Sequence, residues 1–169
     1  MQTSMPDIYA AGDVVGGMML AHVAIAEGMV AAENAMGINS TIDYQAIPQC
    51  IFTLPEVASV GFTEEEAVAQ GHQIRIGRFP FAASGMAAIL GEQRGLVKII
   101  TEQKYDQILG VHIIGPRATS LIPEAVLAMK LEATPKEIVA TLHAHPTLSE
   151  TFWESALDVT GETIHLCYR

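Results

Sequence analysis

The segment His143-Ala-His-Pro-Thr-Leu-Ser-Glu150 brings two imidazoles, a proline and a carboxylate into one short run. Pro146 disfavours helical backbone at the residue before it and favours a helix just after itself. The sequence therefore predicts His145 in extended backbone at a helix entrance, with its ring pointing outward. Glu150 then falls in the first helical turn, close enough to turn back toward that ring. A carboxylate on one imidazole nitrogen fixes the tautomer and raises the ring's basicity. The other nitrogen can then shuttle a proton near neutral pH. The same residues admit a plainer use. Thr147-x-x-Glu150 has the spacing of a capping box, in which Glu150 only closes the backbone at a helix start. Spacing alone leaves both readings open.

A second group lies near the start of the chain, in Ile8-Tyr-Ala-Ala-Gly-Asp13 and the run Val14 to His22. Gly12 permits close backbone approach and Asp13 offers an acceptor, although many βα turns contain Gly-Asp with no ligand. A helix beginning near Met19 or Leu20 would present free N–H groups and the positive end of its dipole. Leu20, Ala21 and His22 stand at that end.

These residues need elements to hold them. Residues 7 to 13 are predicted as a short strand ending in a Gly-Asp turn, followed by a helix from about Leu20 to Met36 closed by Gly37. A polar, proline-bearing connection from Asn39 to Pro48 marks a boundary between residues 1–42 and 43–169. Beyond it, strands are expected at Cys50 to Thr53, Val57 to Gly61 and Gln73 to Phe81. Thr63-Glu-Glu-Glu66 is a capping box that opens a helix ending near Gly71. Leu96 to Thr101 and Ile108 to Ile114 flank a polar stretch, which reads as a hairpin. Helices are predicted over Thr119 to Leu131, Pro135 to Leu142 and Thr147 to Val159. An antiparallel sheet with helices gathered beside it is an α+β domain. Glu56 admits a structural pairing or a site role, and the pairing is the favoured expectation.

Composition narrows the classes. The net charge of −10 and the lack of a Lys/Arg cluster exclude nucleic-acid binding, because a phosphate backbone would be repelled. No stretch approaches the roughly 18 uninterrupted apolar residues of a membrane span. An apolar fraction of 50% without a span suggests a large buried interface. Cys50 and Cys167 have neither the spacing of a metal nor of a redox motif, and no metal site is expected. Met1 to Pro6 lacks the charged start and apolar run of a secretory signal.

The run His143 to Glu150 resembles the C-terminal signature of the dihydrolipoyl dehydrogenases, within the flavoprotein disulfide reductases. Ile8 to His22 resembles the distal flavin motif of the same family, in which the aspartate bonds the ribityl chain. Thr53-Leu-Pro-Glu-Val-Ala-Ser-Val-Gly61, Phe79-Pro-Phe-Ala-Ala83 and Leu109-Gly-Val-His-Ile-Ile-Gly-Pro116 are also similar. The likeness runs along essentially the whole chain, but corresponds only to the end of a full enzyme. The GxGxxG flavin fingerprint, the Cys-x4-Cys redox pair and the nicotinamide domain have no counterpart here.

The resemblance implies a dimerisation domain over residues 43–169, preceded by the C-terminal fragment of an FAD-binding domain over 1–42. It makes His145 the catalytic acid/base, Glu150 its orienting partner, and His143 and Pro146 supporting residues. Gly12, Asp13, Leu20, Ala21 and His22 are the positions matching a partial FAD site, and NAD is the second cofactor of the parent enzyme. The implied partners are a second subunit, whose active site receives the histidine, and a lipoyl-bearing acyltransferase of a 2-oxoacid dehydrogenase complex. The implied location is the cytoplasm, or the mitochondrial matrix in a eukaryote. The chain by itself is expected to be inactive and to hold little or no flavin, and its first 40 residues, short of packing partners, are expected to be mobile or to borrow contacts from a neighbouring chain. Two alternatives remain: a non-catalytic dimerisation module, and the same region of a glutathione or mercuric reductase. A mercuric type would carry paired C-terminal cysteines and no histidine, unlike Cys167 and His145.

Overall fold

The computed structural model describes residues 1–166 and divides into two compact units, Met1–Gln45 and Ala46–Arg169. Cys167 lies outside the described residues.

The first unit is built on one helix, α1 (Ala21–Ala35). Asn34, near its end, ties down the chain that follows. The Asn34 amide donates to Val30 O at 2.8 Å and Ser40 O at 2.9 Å, and its oxygen accepts from Ser40 N–H at 3.2 Å. The strand expected over residues 7 to 13 does not form. Residues near Tyr9 make only an isolated antiparallel bridge to Gln2, and Asp13–Val15 is a single 3-10 turn. The physical reason is that an extended segment needs neighbouring strands to satisfy its backbone, and this unit provides nothing beyond that single bridge.

The second unit is a five-stranded antiparallel sheet. Its strands are β1 (Gln49–Ile51), β2 (Glu56–Gly61), β3 (Ile74–Pro80), β4 (Leu96–Glu102) and β5 (Ile108–Gly115), in the order β1-β2-β5-β4-β3. The helices are α2 (Glu64–Ala69), α3 (Gly85–Leu90), α4 (Ala118–Lys130), α5 (Pro135–Ala140) and α6 (Glu150–Asp158). The α+β class expected from the alternating pattern is the observed one. The capping boxes at Thr63 and Thr134 form with both reciprocal bonds. The short helix α3 was not expected. It is six residues long, capped by Ser84 at one end and left-handed Gly91 at the other.

Period-two alternation sorts the strand residues between the two faces. Val97 and Ile99 of β4, with Ala58 and Val60 of β2, join Ile122 and Ala125 of α4 and Phe152 and Ala156 of α6 in one buried cluster. Ile100, facing the other way, packs with Ala67 of α2. Between these, Lys98 sends its ammonium to Glu64 of α2 at 2.8 Å.

Glu56 is structural, as expected. Its Oε2 accepts from the Thr119 N–H at 3.0 Å and hydroxyl at 2.7 Å, which caps the first turn of α4 from the start of β2. These two bonds, aided by Arg117, outweigh partial burial and hold the Glu56 carboxyl below the ordinary range.

Helix α6 sits directly on β3. A Cβ at Gly77 would collide with the Ser155 carbonyl oxygen and would stand 2.8 Å from the Val159 side chain, so only glycine fits this crossing. Two further bonds fix the seat. The buried Ser155 hydroxyl donates to Val97 O at 3.1 Å, and Arg78 N–H donates to Asp158 Oδ2 at 2.7 Å.

Candidate acid/base site

The entrance to α6 carries the histidine–glutamate pair. His145 lies in a bend whose peptide bond to Pro146 is cis, and the helix begins at Glu150 rather than Thr147. Glu150 turns back as expected. Its Oε1 meets His145 Nδ1 at 2.8 Å, while its Oε2 accepts the Thr147 N–H at 2.8 Å. The carboxylate therefore serves both uses that spacing left open, one with each oxygen. Half of the capping box is absent: the Thr147 hydroxyl donates to Ala144 O at 2.7 Å and does not accept from the Glu150 backbone N–H.

The two members differ in exposure. The His145 side chain is 76% exposed and Glu150 24%. Among the described residues the second ring nitrogen of His145, Nε2, has no protein partner. Partial burial pushes the Glu150 carboxyl up, but the Thr147 N–H and the His145 ring, with a further contribution from His165, hold it below the ordinary range. A carboxylate in that state accepts from Nδ1–H and directs the proton-exchanging role to Nε2.

His143 points elsewhere. Its side chain is 6% exposed, with Nε2 on Glu124 Oε1 of α4 at 2.7 Å and Nδ1 on the Thr141 carbonyl at 2.9 Å. It fastens the segment before His145 to α4 and does not join the His145 ring.

Behind His145 and Glu150 is a small cavity of about 50 Å³, which Phe79 of β3, Ser84, Gly85 and Thr151 help to line. Two more polar residues border it, Glu154 and His165. Neither was singled out from the sequence. The available signal was that Glu154 lies one helical turn past Glu150, on the same face.

The first unit holds the other expected residues. Gly12 has φ +83°, and its N–H donates to Glu27 Oε2 at 2.6 Å. Glu27 is buried, and its Oε1 accepts the Tyr44 hydroxyl at 2.8 Å. Asp13 is exposed at the start of the 3-10 turn. Helix α1 starts after Leu20 in extended conformation, with no side chain capping it, and Ala21 and His22 are exposed there. Glu27, which anchors the Gly12 turn, also went unpredicted. Among the described residues no cluster of three or more His, Cys, Asp or Glu could hold a metal ion.

Fold and site together define an α+β domain that carries a carboxylate-anchored histidine at its surface, at the start of its last helix. The family model for the pyridine nucleotide-disulphide oxidoreductase dimerisation domain matches residues 47–156, and that for pyridine nucleotide-disulphide oxidoreductase matches residues 1–28. The chain belongs to the pyridine nucleotide-disulphide oxidoreductase family. Similar curated proteins include dihydrolipoyl dehydrogenase of Bacillus subtilis, 52% identical over 97% of this chain and 35% of its own length. The dihydrolipoyl dehydrogenase of Thermus scotoductus is 47% identical over 100% of this chain and 36% of its own length. The chain thus spans about a third of the relatives it matches. Among solved structures, LpdA of Mycobacterium tuberculosis superposes with a TM-score of 0.82 at 31% identity, covering 88% of this chain and 33% of that one. A copper complex of the flavoprotein disulfide reductase RclA of Escherichia coli gives 0.84 at 25% identity, covering 94% and 36%.

Proposed function

We propose that this chain is the C-terminal region of a dihydrolipoyl dehydrogenase, in which His145 and Glu150 are the catalytic acid/base pair. The carrying observation is the 2.8 Å contact between His145 Nδ1 and Glu150 Oε1 with Nε2 left toward solvent. In that reaction a dithiol substrate of the dihydrolipoamide class passes its electrons to a disulfide. His145 Nε2 takes the substrate thiol proton, and the resulting imidazolium stabilises the neighbouring thiolate. Glu150 keeps the ring oriented throughout.

The first unit, residues 1–42 in this reading, is the end of an FAD-binding domain. Its residues fit one end of a flavin. The Gly12 turn is held open by Glu27, Asp13 offers an exposed carboxylate to ribityl hydroxyls, and the uncapped start of α1 at Leu20, Ala21 and His22 faces water. The chemistry a bound FAD supplies is two-electron transfer onward to NAD. What the chain contributes is hydroxyl binding at Asp13 and a positive helix end that favours electron-rich groups.

The partner in this reading is a second copy of the chain, which the dimerisation-domain family supports together with apolar side chains left outside, among them Phe52 (81% exposed), Leu54 (91%) and Leu142 (98%). The further partner is the lipoyl-bearing acyltransferase of a 2-oxoacid dehydrogenase complex. Among the described residues no helix is long and apolar enough to cross a membrane. The location in this reading is the cytoplasm, or the mitochondrial matrix for a eukaryotic source; a relative from Arabidopsis thaliana is named as mitochondrial.

The test is a hybrid in which this chain replaces the matching C-terminal third of the Bacillus subtilis enzyme. The hybrid should bind FAD, dimerise and oxidise dihydrolipoamide, while the separate 169-residue chain shows no turnover. His145→Gln in the hybrid should lower kcat by about 10²- to 10⁴-fold. A folded, flavin-loaded hybrid that is inactive, or one indifferent to His145→Gln, would overturn the reading.

A further inference from the structure

The cavity beside His145 and Glu150 is bordered by a second carboxylate–imidazole pair. Glu154 leaves the same face of α6 as Glu150, one turn further on. Its side chain is 2% exposed, yet both oxygens are partnered: Oε1 with His165 Nδ1 at 2.5 Å and Oε2 with the Ile164 N–H at 3.1 Å. A carboxyl group that deep is tolerated only with donors on both oxygens. The chain reverses at Gly161, φ +75°, to bring those donors back. His165 is the opposite of its partner, with a side chain 58% exposed and its other nitrogen unpartnered among the described residues.

The two pairs have parallel construction. In each, a carboxylate on α6 gives one oxygen to a backbone N–H and the other to an imidazole Nδ1, and the imidazole borders both the cavity and water. At about 50 Å³ the cavity exceeds the roughly 10–15 Å³ that one water occupies, so it can carry a hydrogen-bonded bridge. The two carboxylates leave α6 one turn apart and line one cavity with both imidazoles, so a charge on either ring is felt by the other pair. Among the described residues lining the cavity, His145, Glu150 and Glu154 are the titratable groups that accompany His165. Phe79, Ala83, Ser84, Gly85 and Thr151 are neutral.

We propose that His165, anchored on the buried Glu154 carboxylate, is a second acid/base group of the His145–Glu150 site and exchanges protons with it across the shared cavity. This rests on the acid/base reading of His145. A dithiol releases two protons for each pair of electrons it gives up, and one imidazole holds one of them at a time. A second imidazole at the water-facing edge lets His145 return to its proton-accepting form before the second thiol reacts.

The 169-residue chain itself provides the test, by ¹³C NMR titration of the Glu150 side-chain carboxyl in the parent chain and in His165→Gln. Gln at position 165 keeps an N–H donor for the buried Glu154 carboxylate, and the amide spectrum verifies that the fold is retained. The parent should show a second inflection in the Glu150 curve where His165 takes up its proton. In His165→Gln that inflection should vanish and the Glu150 midpoint should rise by about 0.3 pH unit or more. Identical curves in the two chains overturn the proposal and leave the dehydrogenase reading untouched. In the hybrid enzyme, His165→Gln should lower kcat several-fold, and added imidazole buffer should restore it. A loss that buffer does not restore would mean a merely structural clasp, and would also overturn the proposal. An inactive hybrid counts against the dehydrogenase reading alone, and the titration still decides this one.

Discussion

The two units solve the problem of holding a polar site by opposite means. Ala46 onward closes a hydrophobic core of sheet and helices, and His145, Glu150 and Glu154 are set at its edge. Met1–Gln45 has few buried side chains, Val23, Glu27 and Val30, while Val14, Met19, Ile25 and Met29 are exposed. There the turn at Gly12 is held by one buried carboxylate. A site resting on a core inherits the stability of the whole unit. One resting on a single polar group is only as firm as that group's hydrogen bonds.

The largest effect should come from the core. Phe152→Ala removes a fully buried ring from the cluster beneath α6 and should cost about 3–5 kcal/mol. Thermal unfolding should shift strongly for residues 46–166, with exchange at Gly12 unchanged. If the Gly12 amide loosened equally, the two units would not be independent.

An intermediate and local effect is expected for Glu27→Gln. One oxygen is retained, but the charged acceptor for the Gly12 N–H and the Tyr44 hydroxyl is lost, at about 1–3 kcal/mol. Hydrogen exchange at Gly12 should accelerate, and the Tyr44 hydroxyl, which Glu27 pushes above the ordinary phenol range, should titrate at lower pH. The main unfolding transition of the second unit should not move. A global loss of stability would mean that Glu27 serves more than the first unit.

The smallest effect concerns acid. Glu56 has its folded carboxyl below the ordinary value, so the Thr119 contacts are fully present above about pH 4.3. Their contribution disappears as pH falls through the lower folded value. Glu56→Gln should therefore lower the stability of the second unit at neutral pH and flatten its acid limb, as followed by melting from pH 7 to pH 3. An unchanged acid limb would show that other carboxylates dominate it.

Much of the second unit was legible in its residues. Alternation in β3, the polar stretch between β4 and β5, and the boxes at Thr63 and Thr134 act over a few positions, and their geometry follows from local backbone preference. The reach of Glu150 back to His145 is local too. What escaped notice depends on distance in the chain or on context. The short helix after Ser84 offered a cap at each end but too few turns to show a period. Residues 7 to 13 carry the strand-forming Ile8 and Tyr9 but, among the described residues, have no neighbouring strand to complete a sheet. His165 meets Glu154 only because the chain turns at Gly161, and Glu27 meets Gly12 only because α1 folds back over the turn. Each of those contacts is a consequence of the fold, and spacing does not encode it.

The seat of α6 on Gly77 has a bearing on how this domain tolerates change. A contact between side chains can be rebuilt by many combinations of size and shape, each slightly altering the distance between helix and sheet. Backbone resting on backbone permits one spacing, and residues 150 and 154 hang from the helix so placed. Core residues such as Ile99, Val111 and Ile122 can therefore drift in identity over many generations while the two carboxylates keep their address on the sheet. Substitution at Gly77 is the change that would move them together.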